Sequence, residues 1–420
     1  MASPSPAPSL APSGQPTIRY SSSYRCLTVS ETLAAARPLA AGVGVTRVTE
    51  ITRLDRLGVP VAVSVRPGAL PGSLCVSAGK GLSRVEATVG AYMEAIELAF
   101  AEFGRSSVVE VVTATARDVL DGRTRPEAIL DLCPVAGARI PLDRPMTCVA
   151  AQDLLGGAEV LVPAELVFLP APAGTGPPFF GANSNGLCSG NTALEATVHG
   201  LGEVMERHVH SLQLGRDTSR RLVAGSVPPS VGALWQIVAD AGLTLLVRWQ
   251  PNDFGIPFFS ALLADTDRCH PGFLNSGFGC HPDAEVALVR AVTEAVQSRA
   301  CYIHGGREDL RDYYRLFEGW SEARRRRHVE TVVTRWGSGD HPVAFDDVTG
   351  PVVRGTLDDA YDALRHGLGR VGMDRVLRVA YTPPSLPLQV VRVIVPGCEF
   401  AFEGRTRRVG RRLHEWARGR

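Results

Sequence analysis

The chain has 420 residues, 45% of them hydrophobic and 21% charged, with a formal net charge of +1. That is two or three domains' worth of sequence, with enough apolar material for a large packed core. The near-neutral balance calls for no nucleic-acid partner, and no apolar run is long enough to span a bilayer. The arginines at 324–327 and Arg405, Arg407, Arg408, Arg411 and Arg412 are local basic runs that read as solvated faces. Nine scattered cysteines form no CxxC and no zinc-spaced cluster, which fits reduced thiols in a cytoplasm. Lys80 is the single lysine, so it marks a place where a compact ammonium suits better than a guanidinium fork.

In chain order, residues 1–18 are Ala/Ser/Pro-rich and uncharged. They lack a basic start and an apolar stretch, so they read as a disordered tail and not a signal peptide, leaving 19–420 as the main domain. A short helix over 31–37 is ended by Pro38. A strand over 61–65 is followed by a Gly/Ser-rich loop over 71–83 and a helix over 84–103. A strand over 159–162 precedes a Pro/Gly segment over 170–178 that marks a subdomain boundary. A second Gly-rich loop over 181–191 leads into a helix over 194–212. Strands over 243–249 and 257–263 follow, then a third Gly-rich loop over 275–282 and a helix over 284–303. A strand over 389–395 comes near the end. Helices and strands do not alternate as βαβ units, so the expected class is α+β.

Internal similarity carries the chemistry. Glu86-Ala87-Thr88-Val89 recurs as Glu195-Ala196-Thr197-Val198. Seven residues after each Ala stands a Glu-x-x-Glu, Glu94 with Glu97 and Glu203 with Glu206. A looser third copy places Glu294 and Gln297 the same distance after Ala287. Spacing of i, i+3 puts each pair on one helical face. Val85, Val89, Met93, Ile96, Phe100 and Phe103 read as the core stripe of the first helix, and Val198, Leu201, Val204 and Met205 as that of the second. Small residues beside the carboxylates (Ala87, Gly90, Ala91) let something approach the backbone closely.

Converging carboxylates repel one another unless a cation lies between them. Magnesium prefers oxygen ligands and completes its shell with substrate phosphates. Arg207 and Arg290 would then hold phosphate oxygens, helped by the helix N-termini behind the Gly-rich loops. A solvated turn explains one Glu-x-x-Glu; three related copies point to one site. Walker, dinucleotide and GxSxG fingerprints are absent. His199, His208, His210 and His281 read as packed or surface residues, and Cys188 as a small loop residue.

The motifs Gly79-Lys80-Gly81, Met93-Glu94-Ala95-Ile96-Glu97, Ser184-Asn185-Gly186-Leu187-Cys188-Ser189-Gly190-Asn191-Thr192, His199-Gly200-Leu201-Gly202-Glu203-Val204-Met205-Glu206-Arg207 and Gly279-Cys280-His281-Pro282-Asp283 resemble those of the YcaO family. The resemblance runs from about Arg25 to Pro396-Gly397. It implies a fold in which mixed sheets and glutamate-bearing helices enclose ATP and magnesium. Glu94, Glu97, Glu203, Glu206 and Glu294 would face the metal. Asn191, Glu195, Arg207 and Arg290 would contact nucleotide or phosphate, joined by Arg25 and Thr32 from the N-terminal segment and by Lys80. Members of the family modify peptide amides: a nucleophile adds to the carbonyl, the oxyanion takes the γ-phosphoryl group of ATP, and phosphate leaves.

The chain ends Glu415-Trp416-Ala417-Arg418-Gly419-Arg420 without the Pro-x-Pro-x-Pro tail of many azoline-forming members. The resemblance therefore implies a stand-alone type that works with a TfuA-like or leader-peptide-binding partner and makes a thioamide in a ribosomal peptide or protein. Azoline formation ranks second and macroamidine formation third. A cytoplasmic homodimer is expected. Two other readings compete: an ATP-bound scaffold that docks a partner enzyme, and a carboxylate–amine ligase.

Overall fold

A computed structural model describes Gly14 and residues 16–120, 122, 125–172, 178–339, 341–401 and 409–419. Most of the tail expected over 1–18, the middle of the 170–178 segment, and Arg405, Arg407 and Arg408 lie outside the described residues. Three large sheets, antiparallel throughout, organise the rest. The first runs Arg47–Glu50, Val61–Val65, Val76–Lys80. The second runs Val111–Thr115, Pro145–Asp153, Leu377–Ala380, Gln389–Ile394, Leu187–Gly190, with Glu159–Pro163 also paired to Pro145–Asp153. The third runs Arg220–Arg221, Thr244–Trp249, Phe258–Ala264, Leu274–Cys280. A small hairpin, Ile18–Tyr20 with Ser23–Arg25, stands apart.

Each large sheet ends on an edge strand that turns directly into a carboxylate helix. Val76–Lys80 leads to Arg84–Ala101, Leu187–Gly190 to Ala193–Gly215, and Leu274–Cys280 to Ala284–His304. The repeat seen in the sequence is therefore a strand–turn–helix unit used three times. The turns are fixed alike: the side chains of Ser83, Thr192 and Asp283 accept backbone N–H groups of the first helical turn.

This corrects the reading of 71–83, 181–191 and 275–282 as Gly-rich loops, since each contains the edge strand. Their glycines serve close approach of helix to strand. A Cβ on Gly79 would lie 2.1 Å from the Ala87 carbonyl oxygen, one on Gly279 2.0 Å from that of Ala287, and one on Gly190 2.6 Å from the Ala196 nitrogen. The strand is what approaches the small-residue flank of the first helix, where Ala87 and Ala91 are fully buried.

Two further expectations fail at their ends. The helix Val29–Gly42 runs through Pro38. A Thr28/Glu31 capping box anchors its start, and buried Ala36 and Ala40 hold it in the core beyond the proline. Within the first carboxylate helix Met93 and Ile96 are core, but Val85 in its first turn is exposed, as is Phe103 just beyond its end. In the second helix Val198, Leu201, Val204 and Met205 are all buried. The third is apolar nearly all round, with Val286, Leu288, Val289, Val292 and Val296 buried, as a helix enclosed in the core must be. Among the described residues no helix is long and apolar enough to cross a membrane.

The close approach is testable. Gly279→Ala places a methyl against backbone that cannot yield and should destabilise by about 1–3 kcal/mol or more. Gly232→Ala, in the helix Pro229–Asp240 with nothing within 4 Å, should be neutral or stabilising. Thermal melts of the two variants decide; equal melting points would contradict the packing argument.

Candidate active site

The three units interlock in a ring. On the first helix Glu97 Oε1 accepts the N–H of Ser189 at 2.8 Å, from the second unit's strand. On the second helix Glu206 Oε2 accepts the N–H of Cys280 at 3.1 Å, from the third unit's strand. On the third helix Glu294 Oε2 accepts from Lys80 Nζ at 2.9 Å, from the first unit's strand. Counted back from Ala87, Ala196 and Ala287, the residues Lys80, Ser189 and Cys280 occupy one equivalent position. The remaining carboxylates are pinned locally: Glu94 accepts the Ala78 N–H at 2.5 Å and Glu203 that of Gly186 at 3.0 Å. Gln297, which replaces the second glutamate in the third copy, donates to the Ala78 carbonyl at 2.8 Å.

The cleft is acidic and strained electrostatically. Burial, with Glu94 and Glu203 adding to it against the Ser189 hydrogen bond, pushes Glu97 up to about 8. Burial and then Glu294 push Glu206 up to about 7. Burial raises Glu94 too. Glu294 goes the other way: burial would raise it, but Lys80, Arg207 and Arg290 together hold it below the usual range. The side chains of Glu94 and Glu294 keep 29% and 25% exposure, so the carboxylates line an open cleft and not a sealed core.

The residues expected on the nucleotide side form a second network. Arg25 Nη1 donates to Glu195 Oε1 at 2.9 Å and the Cys26 N–H to Oε2 at 2.9 Å. Asn191 Nδ2 donates to both oxygens at 3.1 Å, and Thr32 Oγ1 donates to Asn191 Oδ1 at 3.0 Å. Burial would raise Glu195, but Arg25, Cys26 and Asn191 bring it down. The hairpin and helix Val29–Gly42 are thereby tied to the start of the second carboxylate helix. Arg207 is kept protonated by Glu206, Glu203 and Glu294 in spite of its burial. Arg290 Nη2 lies 2.8 Å from His199 Nε2.

Of the residues expected at the site, Lys80 and the five glutamates fall in the first network and Arg25, Thr32, Asn191 and Glu195 in the second, while Arg207 and Arg290 act on the glutamates through charge. The caps engage one first-turn N–H in each of the first two helices and two in the third. Sequence reading missed Arg307, whose Nη1 is 3.8 Å from Glu94 Oε1 and which pairs with Asp309 at 2.8 Å. It follows Gly305-Gly306 beyond the third helix, where no periodicity could mark it. Cys188 lies in a strand, and burial with Glu203 and Glu97 keeps its thiol protonated. His281 is packed, accepting the Asp283 N–H at 3.0 Å. Among the described residues no three His, Cys, Asp or Glu side chains close around a metal position by themselves. A separate cleft of about 640 Å³, bounded by Trp249, Gly350, Asp359 and Arg370, contains none of the five glutamates.

Comparison with known proteins agrees with this geometry. The description "YcaO cyclodehydratase, ATP- and Mg2+-binding" matches residues 78–399. An uncharacterized protein of Methanothermobacter thermautotrophicus is 36% identical over 394 residues, covering 91% of this chain and 97% of its own length. An uncharacterized protein encoded in the tfuA 3' region of Rhizobium leguminosarum bv. trifolii is 34% identical over 411 residues, covering 94% of this chain and 93% of its own. The solved structure of YcaO from Methanopyrus kandleri bound with AMPPCP and Mg2+ superposes with a TM-score of 0.73 at 27% identity, covering 94% of this chain and 98% of that one. Three interlocked strand–turn–helix units, a shared carboxylate cleft and this span of similarity place the chain in the YcaO family.

Proposed function

We propose that the protein uses ATP to activate a peptide-bond oxygen, giving a thioamide in a ribosomal peptide or protein. The observation that carries this reading is the ring of glutamates from three helices with Arg207 and Arg290 beside it. The donor set fits magnesium: it is oxygen-only, and its five carboxyl groups outnumber the three cations Lys80, Arg207 and Arg290. Mg2+ retains waters and takes phosphate oxygens, so an unclosed carboxylate set suits it. Glu94, Glu97, Glu203, Glu206 and Glu294 would hold it, and it would neutralise charge on the phosphates.

ATP is a co-substrate. Arg207 and Arg290 orient its phosphates, and the Arg25–Glu195–Asn191–Thr32 network shapes the nucleotide side. A sulfur nucleophile adds to the amide carbon, and the carbonyl oxygen takes the γ-phosphoryl group. ADP leaves, then phosphate departs with the former amide oxygen. The chain needs no nucleophile of its own, in keeping with a protonated Cys188. Its work is positioning and charge neutralisation. The tfuA-region relative supports a TfuA-like partner. A homodimer completes the proposal.

Intact mass of a candidate precursor peptide coexpressed with this protein and a TfuA-like partner tests the product. A gain of about 16 Da is expected for oxygen replaced by sulfur; a loss of about 18 Da would mean cyclodehydration instead. Glu206→Gln should lower ATP turnover by about 100-fold or more with the melting point retained. Wild-type turnover in that variant would remove Glu206 from the site.

The crowded carboxylates also set a pH dependence. Glu97 and Glu206 hold protons in the folded state up to about 8 and 7, above the ordinary carboxylate range of the unfolded chain. Raised carboxyl groups cost stability as they ionise, whereas His208, His210 and His281, held down to about 3, 4 and 3 by burial, add stability as pH rises to about 6.5, so the metal-free protein should lose stability as pH climbs from about 6.5 to 8. Glu97→Gln should flatten that slope, and Mg2+ should raise the melting point more at pH 8 than at pH 5. Melting curves with EDTA and with Mg2+ across this range check both; a flat wild-type profile would contradict them.

A further inference from the structure

His199 stands three residues after Ala196, and Arg290 three after Ala287, so they hold one equivalent position on adjacent carboxylate helices; the first helix has Gly90 there. The two side chains meet, Arg290 Nη2 to His199 Nε2 at 2.8 Å. A guanidinium has donors only, so Nε2 must be the acceptor and the ring proton sits on Nδ1. Nδ1 is buried and has no hydrogen-bond partner. An unpaired buried N–H is costly and asks for an explanation. Its surroundings are cationic: Arg290, Arg25 and Lys80 all act on the ring, which burial already keeps neutral. A neutral N–H donor among three cations is suited to an anionic oxygen.

We propose that His199 and Arg290 act as one unit: Nε2 fixes the guanidinium, and Nδ1–H donates to a phosphate oxygen of the bound triphosphate. This rests on the ATP reading above. The imidazole sets the direction of the one arginine of the third helix that faces the cleft. Without it Arg290 has no other hydrogen-bond partner among the described residues and turns toward the nearest carboxylate, Glu294 or Glu206. Phosphate binding then competes with an internal ion pair.

The test is equilibrium binding of AMPPCP with Mg2+, and of AMP, to the full chain. His199→Phe should weaken AMPPCP by about tenfold or more, the worth of one charge-assisted hydrogen bond, and leave AMP within about twofold. His199→Gln keeps an acceptor for Arg290 and His199→Asn keeps a donor near Nδ1, so each should recover part of the loss. Unchanged AMPPCP binding by His199→Phe, or an equal loss of AMPPCP and AMP, overturns the assignment. If the Phe variant does not fold, the Gln and Asn variants decide by the same ratio of AMPPCP to AMP loss. A wild-type chain that binds no AMPPCP overturns the nucleotide reading itself; a wild type that binds it, with no selective loss in the variants, overturns only the role of His199.

Discussion

Five carboxylates cannot face one cleft at neutral pH unless positive charge or protons lie among them, and much of this structure answers that constraint. Burial raises Glu94, and burial with mutual repulsion raises Glu97 and Glu206. Lys80, Arg207 and Arg290 bring Glu294 down. Backbone N–H groups in or just before the edge strands orient Glu94, Glu97, Glu203 and Glu206. The protein thus keeps a concentration of negative charge that it stabilises only in part, a state that favours a divalent cation and its phosphate ligands.

The scaffold makes this possible by geometry more than by residue strength. An antiparallel sheet needs only a short turn to pass its edge strand into a helix, and glycine at the contact lets that helix lie against the strand backbone. Three sheets built this way present three helices to one centre. On each helix one glutamate, Glu97, Glu206 or Glu294, takes its hydrogen bond from a neighbouring unit's strand. No unit holds a finished portion of the site.

The carboxylate helices were legible because i, i+3 spacing and a recurring Glu-Ala-Thr-Val survive in the linear chain. Thr32, Asn191 and Glu195 were reachable only through family resemblance, since nothing local in the sequence ties residue 32 to residue 191. The edge strands were misread for a physical reason: glycine signals a turn when judged alone, and here it signals contact with a helix that lies later in the chain. Pro38 misled in the same way, because tertiary packing on Ala36 and Ala40 outweighs one missing hydrogen bond. Of the six-stranded sheet only the strands over 159–162 and 389–395 were legible, and the others, near 111, 145, 187 and 377, lie far apart in the chain with no local pattern to join them. Arg307 depends on a turn that returns over Glu94, and no local pattern encodes it.

The ring also has an order in time. Its links span 92 residues from Glu97 to Ser189, 74 from Glu206 to Cys280 and 214 from Lys80 to Glu294. Chain-closure entropy makes the longest link the slowest to find its partner, and it cannot form until the third helix exists. During synthesis the first two helices would hold their glutamates beside an open gap, with Lys80 unpaired. Closure of that gap sets Glu294 and brings Arg290 into the cleft together. On the proposed reading of Arg290 as a phosphate-binding group, nucleotide capture would be coupled to completion of the fold.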